Sequence, residues 1–440
     1  METGERQPGR PDPDVERASL MNARAKFVVV FVSTLLTVML VIGALMGKSK
    51  EGEGAYRPLQ VYTEVLARIK GDYVEEPNMD KVTRGAIQGL VEYLDPLSSY
   101  LTAEQYQVFE KSRGNEDLGT GLSTGLVVFK QRLSYTQILY VVPDSPADKA
   151  GIRKGDLIEA IDGVSTRSMA PAYMQSVLSG KPGSRVRLLV RPARQPDEPE
   201  EYAVVRVKVA LPSITSRKLD DGIGYIDLDV LDSERMNQVA AAIKSLESTE
   251  ISKLILDLRG NALGNPEQGL LLADYFIREG KLASLKGQRH PEETFIAKAD
   301  NTLTNLPVVF ITDRATAGGA EIAAAAILDT GRGKVAGERT YGLAAYQKTI
   351  SLEDGSALIL SVAKYHRSTG DAFQDGGVEP SDPVDASELR RYRLSEMELI
   401  EVQSDTTPEA LEGDPDKDPY LKKAIEILKT SEEEPAKKAA

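Results

Sequence analysis

Residues 315–347 read ATAGGAEIAAAAILDTGRGKVAGERTYGLAAYQ, and the assignment of the fold starts from this pattern. Gly318 and Gly319 precede an alanine-rich apolar run that predicts a helix near residues 318–328. A short apolar segment and a loop ending at Gln347 follow. An enzyme can use this order of helix start, strand and loop to place a nucleophile beside its base, yet neither group stands where the order would put it.

The segments on either side extend the pattern into an α/β core. Three apolar runs read as strands, and each precedes a stretch with helical periodicity. Alternating strands and helices are typical of a buried parallel sheet. The strand-like runs are IGYIDLDV at 223–230, KLILDLRG at 253–260 and LPVVFIT at 306–312, and GSALILSVAKYHR at 355–367 adds a long strand.

Composition excludes several classes of function. The net charge of −13 over 440 residues argues against a nucleic-acid partner, because phosphate binding needs a basic surface. The chain has no cysteine, so disulfides and thiolate chemistry are excluded. It has two histidines, His290 and His366, which we interpret as surface residues. We therefore expect no metal site and no cofactor.

An uncharged run from Phe27 to Gly47 is 21 residues long, enough to cross a hydrocarbon layer as a helix. A cleaved signal peptide is the alternative, but no small-residue cleavage site follows the run. We therefore expect a single-pass anchor in a bacterial inner membrane. In this interpretation residues 1–26 form a disordered cytoplasmic tail and the main body is periplasmic.

Residues 55–112 show apolar spacing that predicts two helices and a third that starts near Thr102. Such short helices bury little apolar surface alone. We therefore expect this helical segment to pack on a neighbour or on a second copy of the chain.

Residues 118–210 are predicted to form a β-rich domain. SPADKAGIRKGDLIEAIDGVST, at 145–166, resembles a PDZ domain, in which a short helix leads into a Gly-Asp turn and a strand. A PDZ groove binds an extended peptide as an added strand and holds its terminal carboxylate on backbone N–H groups. The alternative is a PDZ fold without a working groove. The predicted peptide-binding residues are Gly119, Gly121, Leu122, Gly125 and Leu126.

Four motifs, in order behind a membrane segment, resemble the carboxyl-terminal processing peptidases, a family of serine-type peptidases with a PDZ domain. The resemblance runs from about residue 56 to 386 and implies a ClpP/crotonase-like α/β core at 211–386, followed by C-terminal helices and an acidic tail at 387–440. The motifs are LDPLSSYL at 94–101, with Leu97 where the family has His, LILDLRGNALG at 254–264, the block at 315–347, and GGVEPSDPV at 376–384.

The resemblance also assigns the positions of the family's catalytic residues. The Ser nucleophile falls on Gly318, the Lys base on Leu343 and the orienting Gln on Gln347. Glycine has no side chain that attacks, and leucine cannot accept a proton. The oxyanion segment is altered as well: its remnants are Leu263, Gly264 and Gly319, and Leu263 stands where the family has glycine.

Other groups near these positions are candidates to replace the lost dyad. Thr316 is interpreted as a helix N-cap, with a fallback role as nucleophile. Lys348 and Lys334 are interpreted as solvated charges. Asp257 and Arg259 follow a buried strand and are expected to form an ion pair. Gly318-Gly319 could offer N–H groups to a bound carbonyl, or could simply fill the space of the lost dyad.

Three functions remain open on these residues. The preferred one is an inactive homologue that binds C-terminal peptides through its PDZ domain and regulates or scaffolds an active relative. The second is an active endopeptidase that uses Thr316. The third is an assembly adaptor that binds no peptide.

Overall fold

The computed structural model describes residues 23–46, 51–113, 122–130, 134–195, 197–392, 414–415 and 417–438. The chain divides into two compact units, Met1–Thr83 and Arg84–Ala440. Residues 1–22, which hold most of the predicted disordered tail, lie outside the described residues, whereas residues 23–26 are helical. Within the described ranges, no helix combines the length and apolar character needed to cross a membrane. The anchor at 27–47 therefore stays a prediction.

The predicted helical segment contains three helices, α2, α3 and α4, and α2 begins four residues earlier than expected. The helices of the described residues include α1 (Ala23–Met46), α2 (Glu51–Asp72), α3 (Met79–Glu92), α4 (Ala103–Arg113), α5 (Pro146–Lys149), α6 (Pro171–Leu178), α7 (Ser233–Glu247), α8 (Pro266–Asp274), α9 (Gly319–Asp329) and α11 (Pro419–Lys438). A further helical stretch, α10, covers 386–392.

A six-stranded sheet forms the α/β core, in the order β19-β16-β15-β11-β9-β8. The strands from β19 to β9 are parallel and β8 is an antiparallel edge. These strands are apolar on both faces because both faces are covered, as the sequence predicts. Their bounds are β8 (Thr215–Lys218), β9 (Ile223–Asp227), β11 (Lys253–Asp257), β15 (Val308–Thr312), β16 (Lys334–Gly337) and β19 (Asp382–Pro383).

A second sheet is built around the long strand that the sequence predicts, β18. β18 pairs with β1, β13 and β17, and β14 pairs with β13. β1, which lies between α3 and α4, therefore joins the helical segment to this sheet. The bounds are β1 (Ser99–Leu101), β13 (Lys281–Lys286), β14 (Glu293–Ile296), β17 (Ala345–Ser351) and β18 (Ala357–His366); a separate two-stranded parallel pair joins β10 (Val230–Leu231) to β12 (Leu263–Gly264).

The predicted PDZ domain is a six-stranded antiparallel sheet with β2 at its edge. Helix α5 begins as the sequence predicts, because the Ser145 hydroxyl accepts from the Asp148 amide and Pro146 occupies the first turn. Gly151, with φ of 86°, follows the end of the helix. The strands are β2 (Leu126–Lys130), β3 (Thr136–Val141), β4 (Leu157–Ile161), β5 (Val164–Ser165), β6 (Arg185–Arg191) and β7 (Glu200–Val205).

The C-terminal helix α11 is part of the core rather than a separate tail. Leu421, Ala424 and Leu428 on α11 are buried against the second face of the core sheet, together with Leu389 and Tyr392 from α10. Their spacing in α11 is helical, so one face of an otherwise polar helix carries the contact. The sequence indicated the amphipathic helix but not the sheet that it covers.

Candidate functional site

A buried carboxylate organises the region that the resemblance marks as catalytic. Helix α9 starts just after Gly318, and Glu321 in its first turn has no exposed surface. The Oε2 atom of Glu321 accepts from the amides of Gly318 at 2.9 Å and Leu343 at 2.8 Å. Its Oε1 atom accepts from the Thr340 hydroxyl and the Gly342 amide. Burial raises the pKa of the Glu321 carboxyl, and these four donors act in the opposite direction.

The two positions assigned to nucleophile and base therefore lie side by side, because their amides share one carboxylate oxygen. The spacing of the motif at 315–347 predicts that positions 318 and 343 are neighbours, and their backbones do lie close together in the structure. Neither residue carries a side-chain atom that could attack a carbonyl carbon or accept a proton.

The backbone at Gly318 has φ of 60° and ψ of −118°, a conformation that favours glycine. A Cβ atom at this position would lie 3.3 Å from the Gly264 carbonyl oxygen. At Gly319 a Cβ atom would lie 2.4 Å from the Asn265 carbonyl oxygen, which is a clash. The positive φ thus favours glycine at 318, and the close approach of the Asn265 carbonyl oxygen requires it at 319.

Thr316 is buried and its hydroxyl is engaged. Its Oγ1 atom lies 2.8 Å from the Leu258 carbonyl oxygen, to which it donates, and it accepts from the Asp313 amide at 3.0 Å. The N-cap interpretation is wrong, because the N-cap of α9 is Gly318, whose amide is bonded to Glu321. The Thr316 hydroxyl instead closes the turn that follows β15.

Gln347 forms a structural hydrogen bond, and the two nearby lysines are exposed to solvent. The Gln347 side-chain amide donates to the Leu97 carbonyl oxygen at 2.8 Å, so it links β17 to the LDPLSSYL motif. Lys348 is exposed on β17 and Lys334 is exposed at the start of β16. Both side chains are thus open to solvent, as expected for solvated charges.

Two of the three oxyanion remnants, Leu263 and Gly264, form strand β12, and the third, Gly319, begins helix α9. Leu263 and Gly264 pair with Val230 and Leu231 in a parallel bridge. A Cβ atom on Gly264 would lie 2.4 Å from Cβ of Leu231, so glycine is needed here for packing. Leu263 packs beside Leu122 of the PDZ domain, in an apolar cluster that also contains Ala262.

The predicted ion pair between Asp257 and Arg259 is confirmed, with an N–O distance of 2.6 Å. A second carboxylate, Asp418, lies 2.8 Å from the same guanidinium group. Tyr225 donates to Asp257 at 2.9 Å, and all of these side chains are buried. The pair thus belongs to a buried ionic network that ties the start of α11 to the end of β11.

Asp313 is a site residue that the sequence reasoning missed. Its Oδ1 atom accepts from the amides of Gly260, Ala315 and Thr316, so it shapes both loops that lead to the candidate site. Its Oδ2 atom lies 2.7 Å from the Lys154 ammonium of the PDZ domain. Burial would raise the pKa of Asp313, but Lys154 and the Gly260 amide together lower it to about 2. The sequence feature that could have identified Asp313 is its position directly after the buried strand β15.

A cavity of about 1340 Å³ lies between the PDZ domain and the core. Aromatic side chains from both sides line it, including Phe129 and Tyr140 from the PDZ domain and Tyr341 and Tyr420 from the core. It also reaches Gly342, next to Leu343. An extended peptide could be accommodated in a cavity of this size.

The predicted peptide-binding residues are only partly described. Gly119 and Gly121 lie outside the described residues. Leu126 is fully buried in the core of the PDZ domain and Leu122 is buried in the cluster around Val127, so both could reach a ligand only through the backbone. Gly125 has φ of 83°, and a Cβ atom there would lie 2.1 Å from Ser145, so packing alone requires its glycine.

Comparison with known families assigns both domains. Residues 222–384 match the model of peptidase family S41, and residues 137–192 match a PDZ domain model. These matches fall within the α/β core and the predicted PDZ domain. The two family models therefore confirm the predicted combination of a peptidase core with a PDZ domain.

Named relatives extend over most of the chain. A carboxy-terminal-processing protease of Bartonella bacilliformis is 27% identical over 86% of this chain and 86% of its own length. The carboxy-terminal processing protease CtpA of Bacillus subtilis is 30% identical over 71% of this chain and 66% of its own length. A solved structure of the photosystem II D1 C-terminal processing protease shares the fold, with a TM-score of 0.58, 24% identity, and coverage of 74% of this chain and 92% of that one. The chain belongs to the carboxyl-terminal processing peptidases of family S41.

Proposed function

We propose that this chain is a member of the family that binds C-terminal peptides without cleaving them. The observation that carries the proposal is the pair of positions at Glu321: Gly318 and Leu343 are adjacent through their backbones but supply no nucleophile and no base. A peptide carbonyl held there would meet no group able to start acyl transfer.

The alternative nucleophile, Thr316, is poorly placed for catalysis. A nucleophilic hydroxyl needs a base within hydrogen-bond reach and access to the substrate. The Thr316 hydroxyl is buried and donates to the Leu258 carbonyl oxygen, which cannot serve as a general base at neutral pH. The Asp313 carboxylate lies 3.1 Å from it, but its ionic pair with Lys154 lowers the pKa of Asp313 and makes it a weak base.

Peptide binding is supported by the edge of the PDZ sheet. Within the described residues β2 pairs only with β3, which leaves its other edge for an added strand. Helix α6 lies beside β2 and buries Met174 and Leu178 in the domain core. Pro171 and Gln175, one turn apart on α6, are partly exposed and would flank a bound strand.

Cleavage is tested with the purified chain from Lys48 onward, incubated with an unfolded protein and with a library of C-terminal peptides. We expect no products above the level of a matched sample without the chain. Turnover that disappears in Thr316→Val material but persists in Thr316→Ser material, which keeps the hydroxyl, would establish the endopeptidase instead. Contamination is excluded if the difference in activity between the parent chain and the variant is the same after two different purification schemes.

Binding is tested by fluorescence anisotropy with labelled peptides that differ only at the C-terminus. We expect a peptide with a free carboxylate to bind more tightly than its amidated form, because only the carboxylate uses the backbone N–H groups of the loop before β2. Gln175→Trp should weaken binding by filling the space beside β2, whereas Arg187→Trp, on the exposed face of β6, should not. Absence of binding to the whole library would support the adaptor.

We also propose that residues 27–47 anchor the chain in a membrane, with its main body outside the cytoplasm.

The helical segment at 55–112 is proposed to mediate association with an active relative or with a second copy of the chain. The association is supported by three exposed apolar side chains on α2: Leu59, Val61 and Val65. Light scattering of the parent chain and of a variant with serine at these positions measures self-association. A monomeric mass for the parent chain would exclude the second copy.

A further inference from the structure

The PDZ domain packs one face of its edge strand on the region that the family resemblance marks as catalytic. Side chains of β2 alternate between two sides, as in any strand. Leu126 is buried in the core of the PDZ domain, and Val128 packs against the same cluster. Val127 and Phe129 point the other way and pack on residues of the α/β core. The strand that offers its edge to a peptide is therefore held between two apolar layers.

The α/β-core and helical-segment side of this contact consists largely of residues at altered family positions. Phe129 and Leu139 of the PDZ domain share one cluster with Ala315, and Leu97 and Leu343 pack against it. The Phe129 and Tyr341 rings meet edge to face, with centroids 4.3 Å apart. Leu343 stands at the position of the base, and Leu97 at the position of the family's histidine.

The second cluster repeats the arrangement at the oxyanion segment. Leu122, Val127 and Tyr140 of the PDZ domain are buried there, and Ala262 and Leu263 pack against them. Leu263 again stands at an altered position. A charged lysine in place of Leu343 would have to lose its hydration inside the first cluster, which is costly without a partner.

Two polar contacts fix the orientation of the same surfaces. The Tyr140 hydroxyl donates to Asp229 at 2.9 Å, and Lys154 lies 2.7 Å from Asp313. Both contacts join the PDZ domain to the core, and all four residues line the cavity. Directional polar contacts beside apolar clusters are typical of a stable interface.

We propose that Leu343, with Leu97 and Leu263, serves as a docking surface for β2 and β3, so that the replacement of the base also locks the PDZ domain over the cleft. The substitutions at these family positions would then have two effects: they remove the catalytic dyad, and they add an apolar contact between the PDZ domain and the core. The proposal goes beyond peptide binding and does not depend on it.

The test measures the position of the PDZ domain in the full chain. Because the chain has no cysteine, Val164→Cys on β5 and Lys244→Cys on α7, both exposed, can carry two spin labels without a background signal. We expect one narrow distance distribution in the parent chain. In Leu343→Lys the distribution should broaden or gain a second component. In the control Ile350→Lys, on the strand β17 that follows Leu343, it should stay narrow.

Two further variants protect the test against misfolding. Leu343→Ala and Phe129→Ala remove the two sides of the contact without adding charge, and each should broaden the distribution. The double variant should broaden it no more than the larger single effect, because both remove one shared contact. A narrow, parent-like distribution in folded Leu343→Lys and Leu343→Ala would overturn the proposal, even if the chain binds peptides.

Discussion

The amides of Gly318 and Leu343 donate to one and the same oxygen of Glu321, at 2.9 and 2.8 Å. A helix and a strand separate the two residues in the chain, and one buried carboxylate joins them in space. The frame that would place a nucleophile beside a base is thus assembled by backbone groups. These two hydrogen bonds use no side-chain atom of either residue, so they form without a serine at 318 and a lysine at 343.

Replacing Glu321 by glutamine should destabilise the frame. One oxygen becomes an NH2 group that faces donors, so two backbone or hydroxyl donors lose their partner inside the core. We expect a loss of about 3 kcal/mol in the free energy of unfolding, measured by urea titration. Glu247→Gln, at the exposed end of α7, is the control and should change stability by less than about 0.5 kcal/mol. Equal effects of the two variants would contradict this account.

The two glycines at the start of α9 should respond in a definite order. Gly318→Ala adds a side chain at a positive φ and should cost about 1–3 kcal/mol. Gly319→Ala should cost more, because its Cβ atom would lie 2.4 Å from a backbone oxygen. Gly85→Ala, in open space on α3, should instead stabilise by about 1 kcal/mol. Thermal unfolding of the three variants measures the order.

The same geometry bears on restoring a dyad. Gly318→Ser with Leu343→Lys should not produce detectable cleavage, because the serine backbone would be strained and the lysine would face the apolar cluster around Phe129. Peptide hydrolysis by the double variant is the measurement. A restored activity that needs both substitutions would show that the cleft is still accessible to substrate, which contradicts the proposed lock.

Sequence reasoning located what is local or spaced along the chain. Short-range patterns predict the helix start at Gly318 and the start of α5 at Ser145. The fixed spacing of the motif assigns Leu343 to the position of the family's base. It missed contacts between distant segments: Lys154 reaches Asp313 across 159 positions, and α11 covers the core sheet. The prediction of Thr316 as a cap is wrong because its hydroxyl donates to the Leu258 carbonyl oxygen, 58 positions away in the chain. Periodicity carries no information about such pairings.

Asp418 should be among the most sensitive positions of the C-terminal region. Its carboxylate is fully buried, 2.8 Å from Arg259, and also accepts from the amides of Tyr420 and Leu421 at the start of α11. Asp418→Ala leaves a buried guanidinium group with one partner fewer, and should cost about 3–5 kcal/mol in urea unfolding. The control is Asp414→Ala, which removes a partly exposed pair with Lys417 and should cost less than about 1 kcal/mol.

Acid should weaken the fold through Asp313. Its pKa falls from 3.8 to about 2 on folding, so the ionised group stabilises the folded chain above about pH 4, and this contribution disappears as the pH falls toward 2. The shift corresponds to about 2 kcal/mol at neutral pH. Lys154→Gln removes the ammonium group that lowers this pKa, so the pH midpoint of acid unfolding should rise, as followed by circular dichroism. Lys149→Gln, exposed on α5, should leave the midpoint unchanged. If Lys154→Gln unfolds at the same pH as the parent chain, the ion pair with Asp313 does not contribute to the stability of the domain contact.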